Sequence, residues 1–376
     1  MSDRTFDSGL GRPRRRWRLA LLLLAVVVVV AAAWAGLWFY AAKRAEAEFA
    51  AWRNREAAAG RVFSCGTQRI AGFPFRIEIR CTDPNLNLQA NQLTFRLKNL
   101  LAAVRIYQPT LLIGEFTGPL TVANDGGPPD IVVDWTLAQT SVHGLPFEPD
   151  RVSVVLDKPS VARPASPAAQ TLASAEHLEA HVRQAPRLPQ DPPVLDLALN
   201  LKQALLPAVA QIPEVPIDAE ITATLRGLTD LRPKPLAALL RELQAANGRL
   251  DITHARIREG EIVGVGQGTL SLTARGTLDG QIQLTVAGIE QLMTMLGLDK
   301  KVGELSQNAL DRVVPGLNLD RLLGPRGNAA IAAAGVAMLG QPAELEGRRA
   351  VTLPLRFADG VVFLGPLRAG ELPPLF

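Results

Sequence analysis

The chain has 376 residues, 48% of them hydrophobic, which excludes an intrinsically disordered protein and leaves room for about two ordinary domains or one elongated domain. Its net charge of +4 belongs to residues 1–18, where six arginines stand against two aspartates, and the rest of the chain is neutral with 34 basic and 34 acidic residues. A neutral body lacks the basic surface that follows nucleic-acid phosphates, so we expect no nucleic-acid partner.

The first predicted element is a transmembrane helix. The 22 residues Leu19–Tyr40 contain no charged side chain. At a rise of about 1.5 Å per residue they match the roughly 30 Å hydrocarbon thickness of a bilayer. The arginine-rich tail, residues 1–18, should stay in the cytoplasm by the positive-inside rule. The sequence therefore predicts a single-pass inner-membrane protein with a cytoplasmic N-terminus and a periplasmic body.

A cleaved signal peptide is the alternative for this segment, with Leu19–Val30 as its apolar core and Ala31–Ala33 as its cleavage site. The apolar run continues beyond that site and is longer than an ordinary signal-peptide core, which favours the anchor. Either interpretation exports the body of the protein.

The segment after the span is predicted to be a helical stalk. Residues 41–60 are rich in alanine, glutamate and arginine and end in glycine, a composition typical of a helix and its stop signal. From residue 61 onward the apolar pattern changes to a period of two. We therefore expect residues 61–376 to form an exported, β-rich domain.

The two cysteines, Cys65 and Cys81, both lie in the exported part. In an oxidising compartment two close cysteines are expected to pair, and their midpoint falls on Phe73, within the turn signal Gly72-Phe73-Pro74. The spacing predicts a hairpin that is symmetrical about Phe73 and closed at its base by a disulfide. A redox dithiol or a zinc pair is the alternative, but there is no C-x-x-C spacing and no second ligand cluster.

Alternation of apolar and polar residues predicts many antiparallel strands, each with one apolar and one polar face. The clearest are 194–202 and 217–226. The predicted fold class is mainly β with helices (α+β): an N-terminal transmembrane helix followed by a large curved antiparallel β-sheet covered in part by helices. Eight residues are predicted to share the apolar face and to line a candidate lipid groove: Leu195, Leu197, Leu199, Ile221, Leu225, Leu272, Ile282 and Leu284. The alternative is that the same residues form a closed core under the predicted helices.

Late in the chain the pattern favours four helices and then a closing β-hairpin. A strong turn signal, Asp359-Gly360, joins the two strands of that hairpin. The helices are predicted at Leu236–Ala246, Ile289–Leu296, Lys300–Val314 and Ala329–Leu339, and the strands at Val351–Phe357 and Val361–Leu364.

A search for chemistry finds two weak candidates. His177 and His181 are four residues apart, but the alternation around them favours a strand, on which they would lie roughly 13 Å apart and could not share a metal ion. Gly264, Gly266 and Gly268 superficially resemble a phosphate loop, but the required lysine is missing, and we interpret them as a bulge or strand turn. The sequence therefore predicts no catalytic, metal-binding or cofactor-binding residue.

Four segments carry a resemblance to a known family: WFYAAKRAEAEFAAW (38–52), FSCGTQRIAGFPFRIEIRC (63–81), GTLDGQIQLTVAGIEQLM (276–293) and LPLRFADGVVFLGPLRAGELPPLF (353–376). Through them the chain resembles, over nearly its whole length, an uncharacterised alphaproteobacterial envelope family known as a domain of unknown function. The FPFRIE stretch and the G-x-L-D-G strand pairs are also distantly similar to AsmA-like envelope proteins. That similarity implies an anchor, a long curved sheet around an apolar groove and a link to lipid traffic or outer-membrane assembly, although 376 residues are too few to bridge both membranes. It transfers no catalytic residue.

These inferences lead to one principal hypothesis and one alternative. The principal hypothesis is a non-catalytic, inner-membrane-anchored periplasmic protein whose apolar groove binds lipid or acyl chains. The alternative is a periplasmic scaffold that holds envelope proteins at the inner membrane through exposed strand edges or an apolar patch. Neither requires a cofactor. An enzyme acting on envelope substrates would require a convergent polar cluster around one of the histidines.

Overall fold

The computed structural model describes residues 14–124, 127–145, 148–164, 170–188, 190–207, 215–232, 234–289, 291, 340–365 and 367–376. Within these ranges the chain is mostly antiparallel β-sheet with two helices, which confirms the predicted fold class. The helices are α1 Arg14–Ala58 and α2 Leu236–Ala245. The strands are β1 Arg61–Ser64, β2 Thr67–Ala71, β3 Arg76–Thr82, β4 Asn85–Leu88, β5 Leu93–Arg96, β6 Asn99–Arg105, β7 Gln108–Thr117, β8 Leu120–Asn124, β9 Ile131–Asp134, β10 Leu137–His143, β11 Arg151–Asp157, β12 Ser160–Arg163, β13 Gln170–Ser174, β14 His177–Gln184, β15 Leu195–Ala204, β16 Ile217–Arg226, β17 Arg249–Glu259, β18 Ile262–Leu272, β19 Leu278–Ala287, β20 Gln341–Leu345, β21 Arg348–Ala358, β22 Val361–Leu364 and β23 Leu367–Glu371.

Helix α1 joins the apolar run and the following alanine-rich segment into one continuous element. The leucines and valines of its apolar part are exposed, and the helix is long and apolar enough to cross a membrane. The chain leaves the helix at Gly60, whose φ of 77° is a conformation that glycine adopts without strain and that commonly terminates helices.

The strands form two antiparallel sheets. The wide sheet has 16 strands and the narrow sheet has seven. The wide sheet does not close, because among the described residues β2 and β23 each pair on one side only. Its order is β2-β3-β6-β7-β10-β11-β14-β15-β16-β17-β18-β19-β21-β22-β23, with β20 also on β21, and the order of the narrow sheet is β1-β4-β5-β8-β9-β12-β13.

The narrow sheet is a continuation of the first strands of the wide one. Each strand of the narrow sheet is joined along the chain to a strand of the wide sheet through a break of two residues. We call the line of these breaks the crease: Cys65-Gly66, Asp83-Pro84, Leu97-Lys98, Gly118-Pro119, Trp135-Thr136, Lys158-Pro159 and Ala175-Glu176. Backbone hydrogen bonds continue along it, for example from Asp83 N to Lys98 O at 2.9 Å.

Proline explains the crease on the strands that run from the wide sheet into the narrow one. Pro84, Pro119 and Pro159 each occupy the second position of a break, and proline has no N–H to donate to a strand ladder. Asp83 and Lys158, which precede two of them, have φ values of 47° and 48°, outside the strand region. The three prolines are 35 and 40 residues apart, so the crease marks an internal repeat of bent hairpins.

The described part of the chain has a small apolar core. Its cluster consists of Val351, Leu353 and Leu364, with Leu284 and Leu355 packed against it. An open sheet encloses little volume, so most apolar side chains stay half-buried on a face.

Two late sequence predictions are confirmed, and one needs correction. Helix α2 and the closing strands β21 and β22 lie where they were predicted. The predicted bulge at Gly264, Gly266 and Gly268 needs its strand corrected: the irregularity lies opposite Gly266 and Gly268, but the extra residue belongs to β17, between Ile252 and Ala255, and β18 pairs with β19 without interruption. Of the helices predicted at 289–296, 300–314 and 329–339, only residues 289 and 291 are among the described ones.

Candidate functional site

The wide sheet has one continuous apolar face. Directly opposed residues of antiparallel strands point to the same face, so the register traces rows across the sheet. One row contains no polar side chain over thirteen strands, and we call it the apolar row: Ile77, Val104, Leu112, Val142, Val152, Val182, Leu197, Ala223, Ile252, Gly268, Ile282, Leu355 and Leu364. Of these thirteen, Ala223 and Leu364 are buried, and the other eleven keep part of their surface accessible.

All eight residues predicted to line a lipid groove belong to this face. Leu197 and Ile282 are members of the apolar row itself. The others lie on the same face of β15, β16, β18 and β19, where Leu195 opposes Leu225 and Leu199 opposes Ile221.

Helix α2 lies over part of this face and leaves a cavity of about 300 Å³ beneath it. That volume is at the lower end of the range for small-molecule sites, about 300–1,000 Å³. Three of the predicted groove residues line it, namely Leu197, Leu225 and Leu272. The other apolar lining residues are Leu239, Leu240 and Leu243 of α2 together with Leu250, Leu270, Leu278 and Leu375.

A polar clamp holds α2 in this position. The Glu242 carboxylate accepts hydrogen bonds from the backbone N–H of Thr229 at 2.6 Å and from its hydroxyl at 2.5 Å, and it also pairs with Lys234. Hydrogen bonding to Lys234 and then to Thr229 lowers the pKa of Glu242 to about 2. Gln244 adds a hydrogen bond from Nε2 to the carbonyl of Thr273, at 2.5 Å.

Away from α2, over β18, β19 and β21, packed side chains cover the same apolar face. Gly264 and Gly266 of β18 have no side chain, and the Leu284 side chain comes within 3.6–3.7 Å of the positions that their Cβ atoms would occupy. Leu284, one of the predicted groove residues, also packs against the Leu353 core cluster.

The other face of the wide sheet is polar. A row of opposed residues there contains His143, Arg151, Arg183, Asp196, Thr224, Asp251, Thr269, Gln281 and Arg356. An open depression of about 940 Å³ lies on this face over β17, β18, β19 and β21, among Asp251, Gln267, Thr269, Asp279 and Gln283.

The two histidines of the sequence search lie on this polar face. They are in strand β14, as the alternation predicted, and Glu179 stands between them. The Glu179 carboxylate lies 3.0 Å from His181 Nε2 and 3.7 Å from His177 Nε2. Their Nδ1 atoms are occupied by other partners, Ser153 Oγ for His181 and Asp157 for His177. The described residues contain no group of three or more potential ligands able to hold a metal ion.

Ser153, His181 and Glu179 form a series of polar contacts that resembles a hydrolase triad in composition only. Nucleophilic catalysis also needs backbone or side-chain donors aimed at a developing oxyanion. Here Ser153 and His181 lie opposite each other in the middle of two central strands, whose backbone donors serve the β-ladder. The arrangement therefore stabilises a cross-strand contact and has no assembled oxyanion site.

The cysteines and the turn between them lie at the first edge of the wide sheet. The Cys65 and Cys81 sulfur atoms are bonded at 2.01 Å, and the turn at Gly72, Phe73 and Pro74 joins β2 to β3. The predicted symmetrical register is wrong, because Cys81 opposes Gln68 and Cys65 belongs to the crease. The disulfide therefore ties the crease to β3 instead of closing a simple hairpin.

Helix α1 packs along this edge through aromatic residues. Near its middle, Trp34 Nε1 donates to Pro74 O at 2.8 Å and Trp38 Nε1 donates to Arg76 O at 2.7 Å. The Trp38 ring also meets Phe73 edge to face, with centroids 5.5 Å apart. Spacing by four residues in a helix is the signal by which the two tryptophans could have been assigned to one packed face.

A further aromatic contact lies nearer the end of α1. Phe49 and Trp52 both contact Phe63 of β1, with ring centroids 6.0 and 5.7 Å apart. Helix α1 is thus fixed to the sheet at two separated points.

Comparison with known proteins identifies the family. A model of uncharacterised proteins conserved in bacteria, DUF2125, matches residues 38–373, so the chain belongs to that family. The chain matches no curated protein and no solved structure.

Proposed function

We propose that this member of an uncharacterised bacterial family is a non-catalytic envelope protein that α1 anchors in the inner membrane, and that the apolar face of its wide sheet binds lipid acyl chains. The apolar row carries the proposal. At a strand spacing of about 4.8 Å, thirteen strands make this row roughly 60 Å long. Its first six residues, from Ile77 to Val182, keep part of their surface accessible and lie outside both the cavity beneath α2 and the Leu353 cluster. A contiguous apolar surface on an exported protein is typical of an interaction site.

The chemistry of the row favours acyl chains over polar ligands. An acyl chain needs no hydrogen-bonding partner, and the thirteen residues of the row offer no polar side chain. The cavity beneath α2 continues this surface with leucines from both the helix and the sheet.

Two observations support the orientation. The arginine-rich tail precedes an apolar helix long enough to cross a membrane, which favours a cytoplasmic N-terminus. The disulfide between Cys65 and Cys81 suits an oxidising compartment such as the periplasm.

The test compares two consecutive residues of β15. Leu199→Gln places an amide on the apolar face opposite Ile221, while Asn200→Gln keeps the other face polar. Full-length protein in bacterial membranes is exposed to a phospholipid with a photoreactive diazirine in its acyl chain, and the adducts are mapped by peptide mass spectrometry. We expect adducts on β14–β16 of the wild type and of Asn200→Gln, and a several-fold loss in Leu199→Gln.

Adducts confined to α1 in all three proteins would contradict lipid binding by the sheet. Far-ultraviolet circular dichroism of each variant separates a loss of binding from a loss of fold.

The scaffold alternative has weaker support. It requires an open strand edge or an apolar patch; the apolar row could serve as the patch, and β23 provides an edge at the end of the wide sheet. This strand is short, and Arg368 and Glu371 on it form an ion pair. Short, charged edge strands discourage the addition of a partner strand.

A further inference from the structure

We infer that the turn Gly72–Phe75 and the adjacent turn at Tyr107 are seated in the periplasmic interface of the bilayer that α1 crosses, so that the first strands of the wide sheet stand on the membrane. The inference goes beyond lipid binding by the sheet. It rests on the proposed function in one respect, namely that α1 spans the membrane.

The contacts of α1 fix the depth of the first turn. If the span ends at Tyr40, Trp34 lies six residues deeper, which is about 9 Å along the helix axis. Trp34 donates to Pro74 O, and its ring centroid lies 6.3 Å from that of Phe75. The turn is therefore held on the bilayer side of Tyr40, about 9 Å inside the end of the span and at the level of the outer acyl chains of the periplasmic leaflet.

The side chains at this level suit that environment. Phe73 is 55% exposed, Phe75 is 58% exposed and Tyr107 is 67% exposed. Tyr107 adjoins the first turn, because the neighbouring Ile106 N–H donates to Phe75 O at 3.0 Å. Three large aromatic side chains thus project together next to the membrane-facing part of α1.

Four backbone carbonyls in and beside the turn have partners within the protein. Unpaired backbone groups are costly in lipid, so a segment seated there needs internal partners. The Gly72 carbonyl accepts from Arg76 N, the Pro74 carbonyl from Trp34, the Phe75 carbonyl from Ile106 N and the Arg76 carbonyl from Trp38. Pro74 in addition has no N–H that needs a partner.

Cationic groups lie just behind the aromatic side chains. Arg76 and Arg105 oppose each other at the ends of β3 and β6, and both are exposed, although the Arg76 guanidinium also pairs with the Glu78 carboxylate at 3.2 Å. A guanidinium at this position can reach lipid phosphates while its aliphatic stem stays on apolar surface. The order of aromatic residues followed by arginine matches the order of acyl boundary and headgroup.

The turns at the other end of these bent hairpins, in the narrow sheet, have a different chemistry. The β4–β5 turn is Gln89-Ala90-Asn91-Gln92, without an aromatic residue, and it is exposed. Strand twist rotates successive strands by about 20–25°, so we confine the inference to the first two turns and do not extend it to later ones.

The experiment places a fluorophore at each of the two ends of the bent hairpins. Because Cys65 and Cys81 are bonded to each other, a thiol-reactive NBD dye without reductant labels only an introduced cysteine. Tyr107→Cys reports on the membrane end, and Asn91→Cys, in the β4–β5 turn, is the matched control. The full-length chain is reconstituted in vesicles of phosphatidylethanolamine and phosphatidylglycerol, with a fraction of lipids carrying a doxyl quencher at acyl carbon 5.

We expect quenching several-fold stronger at position 107 than at position 91. Phe75→Cys, labelled in the same way, provides a second reading at the membrane end if labelling at 107 perturbs the turn. Equal quenching at the membrane end and at position 91, with the N-terminal tail protected from added protease, overturns the inference while leaving the anchor in place. A tail that is cleaved together with the body overturns the anchor as well. Loss of acyl-chain adducts in the sheet, by contrast, concerns only the proposed function.

Discussion

The two faces of the wide sheet use the same strands for opposite purposes. On one face thirteen opposed residues present no polar side chain, and on the other, histidines, threonines, arginines and aspartates form hydrogen bonds from strand to strand. Water can cover the polar face at no cost. The apolar face gains free energy only when a helix, packed side chains or a ligand covers it. Side-chain packing that stabilises the fold and the binding of a ligand therefore compete for the same apolar face.

The largest expected effect comes from a substitution on the apolar face of β21, which is compared with a substitution of the neighbouring residue on the polar face. Leu353 is fully buried in the core cluster, while the neighbouring Thr352 makes a hydroxyl hydrogen bond to Thr285 at 2.9 Å. We expect Leu353→Ala to lower the free energy of unfolding by about 3–5 kcal/mol because it leaves a cavity. Thr352→Ala should cost about 1 kcal/mol. Urea unfolding of the full-length protein in detergent, followed by circular dichroism, measures both, and equal losses would refute the assignment of the faces.

The next effect concerns the edge where the apolar face begins. Cys81 opposes Leu100 on that face and is bonded to Cys65, which closes a loop with a sequence separation of 16 residues. Replacing both cysteines with serine should lower the free energy of unfolding by about 3 kcal/mol, because the unfolded chain regains loop entropy. The same urea experiment measures it. Wild-type protein treated with reductant should show the same loss, and an unchanged midpoint in both samples would argue against a stabilising disulfide.

A smaller effect should appear at low pH, because a carboxylate helps to hold α2 over the apolar face. The pKa of Glu242 is lowered to about 2 in the folded protein, from an ordinary 4.5. Its contribution to holding α2 is therefore present above pH 4.5 and is lost as the pH falls from 4.5 toward 2. We expect amide hydrogen exchange in α2, corrected for intrinsic rates, to accelerate over that range.

Glu242→Gln provides the control for this prediction. The variant should exchange faster in α2 already at pH 7 and should lack the additional acceleration below pH 4.5. An identical pH dependence in the variant and the wild type would assign the effect to other groups.

The smallest effect is expected on the polar face. His181→Gln disturbs contacts with Ser153 and Glu179 that are partly exposed to water. Exposed contacts of this kind contribute less than about 1 kcal/mol. We expect urea midpoints that differ little from wild type and unchanged acyl-chain adducts. A loss of unfolding free energy comparable to that of Leu353→Ala would mean that contacts on the polar face stabilise the fold as much as the apolar core does.

The alternation of residues was sufficient to predict the faces but not the bending of the strands. Leu195, Leu197 and Leu199 alternate with polar residues, and a period of two has one structural consequence, so their common face followed from the sequence. The crease did not follow, because a break of two residues preserves the alternation on either side of it. The spacing of Pro84, Pro119 and Pro159 was its visible signal.

The contacts between elements could not be predicted in the same way. The hairpin register failed because Cys65 was assigned to a strand, whereas it lies in a break whose position depends on the neighbouring strands. The cavity beneath α2 depends on the clamp between Glu242 and the segment before the helix. Such contacts join residues that are distant in sequence, and no local pattern encodes them.

The crease also bears on how a protein of this kind can change in size. Each bent hairpin hydrogen-bonds only to its two neighbours, as the modules of a solenoid do, so one more hairpin could be added without redesigning the others. Two added strands would lengthen the apolar row by about 10 Å. Because such growth runs across the strands, it would extend the apolar face and leave the contacts of α1 with the first hairpin unchanged.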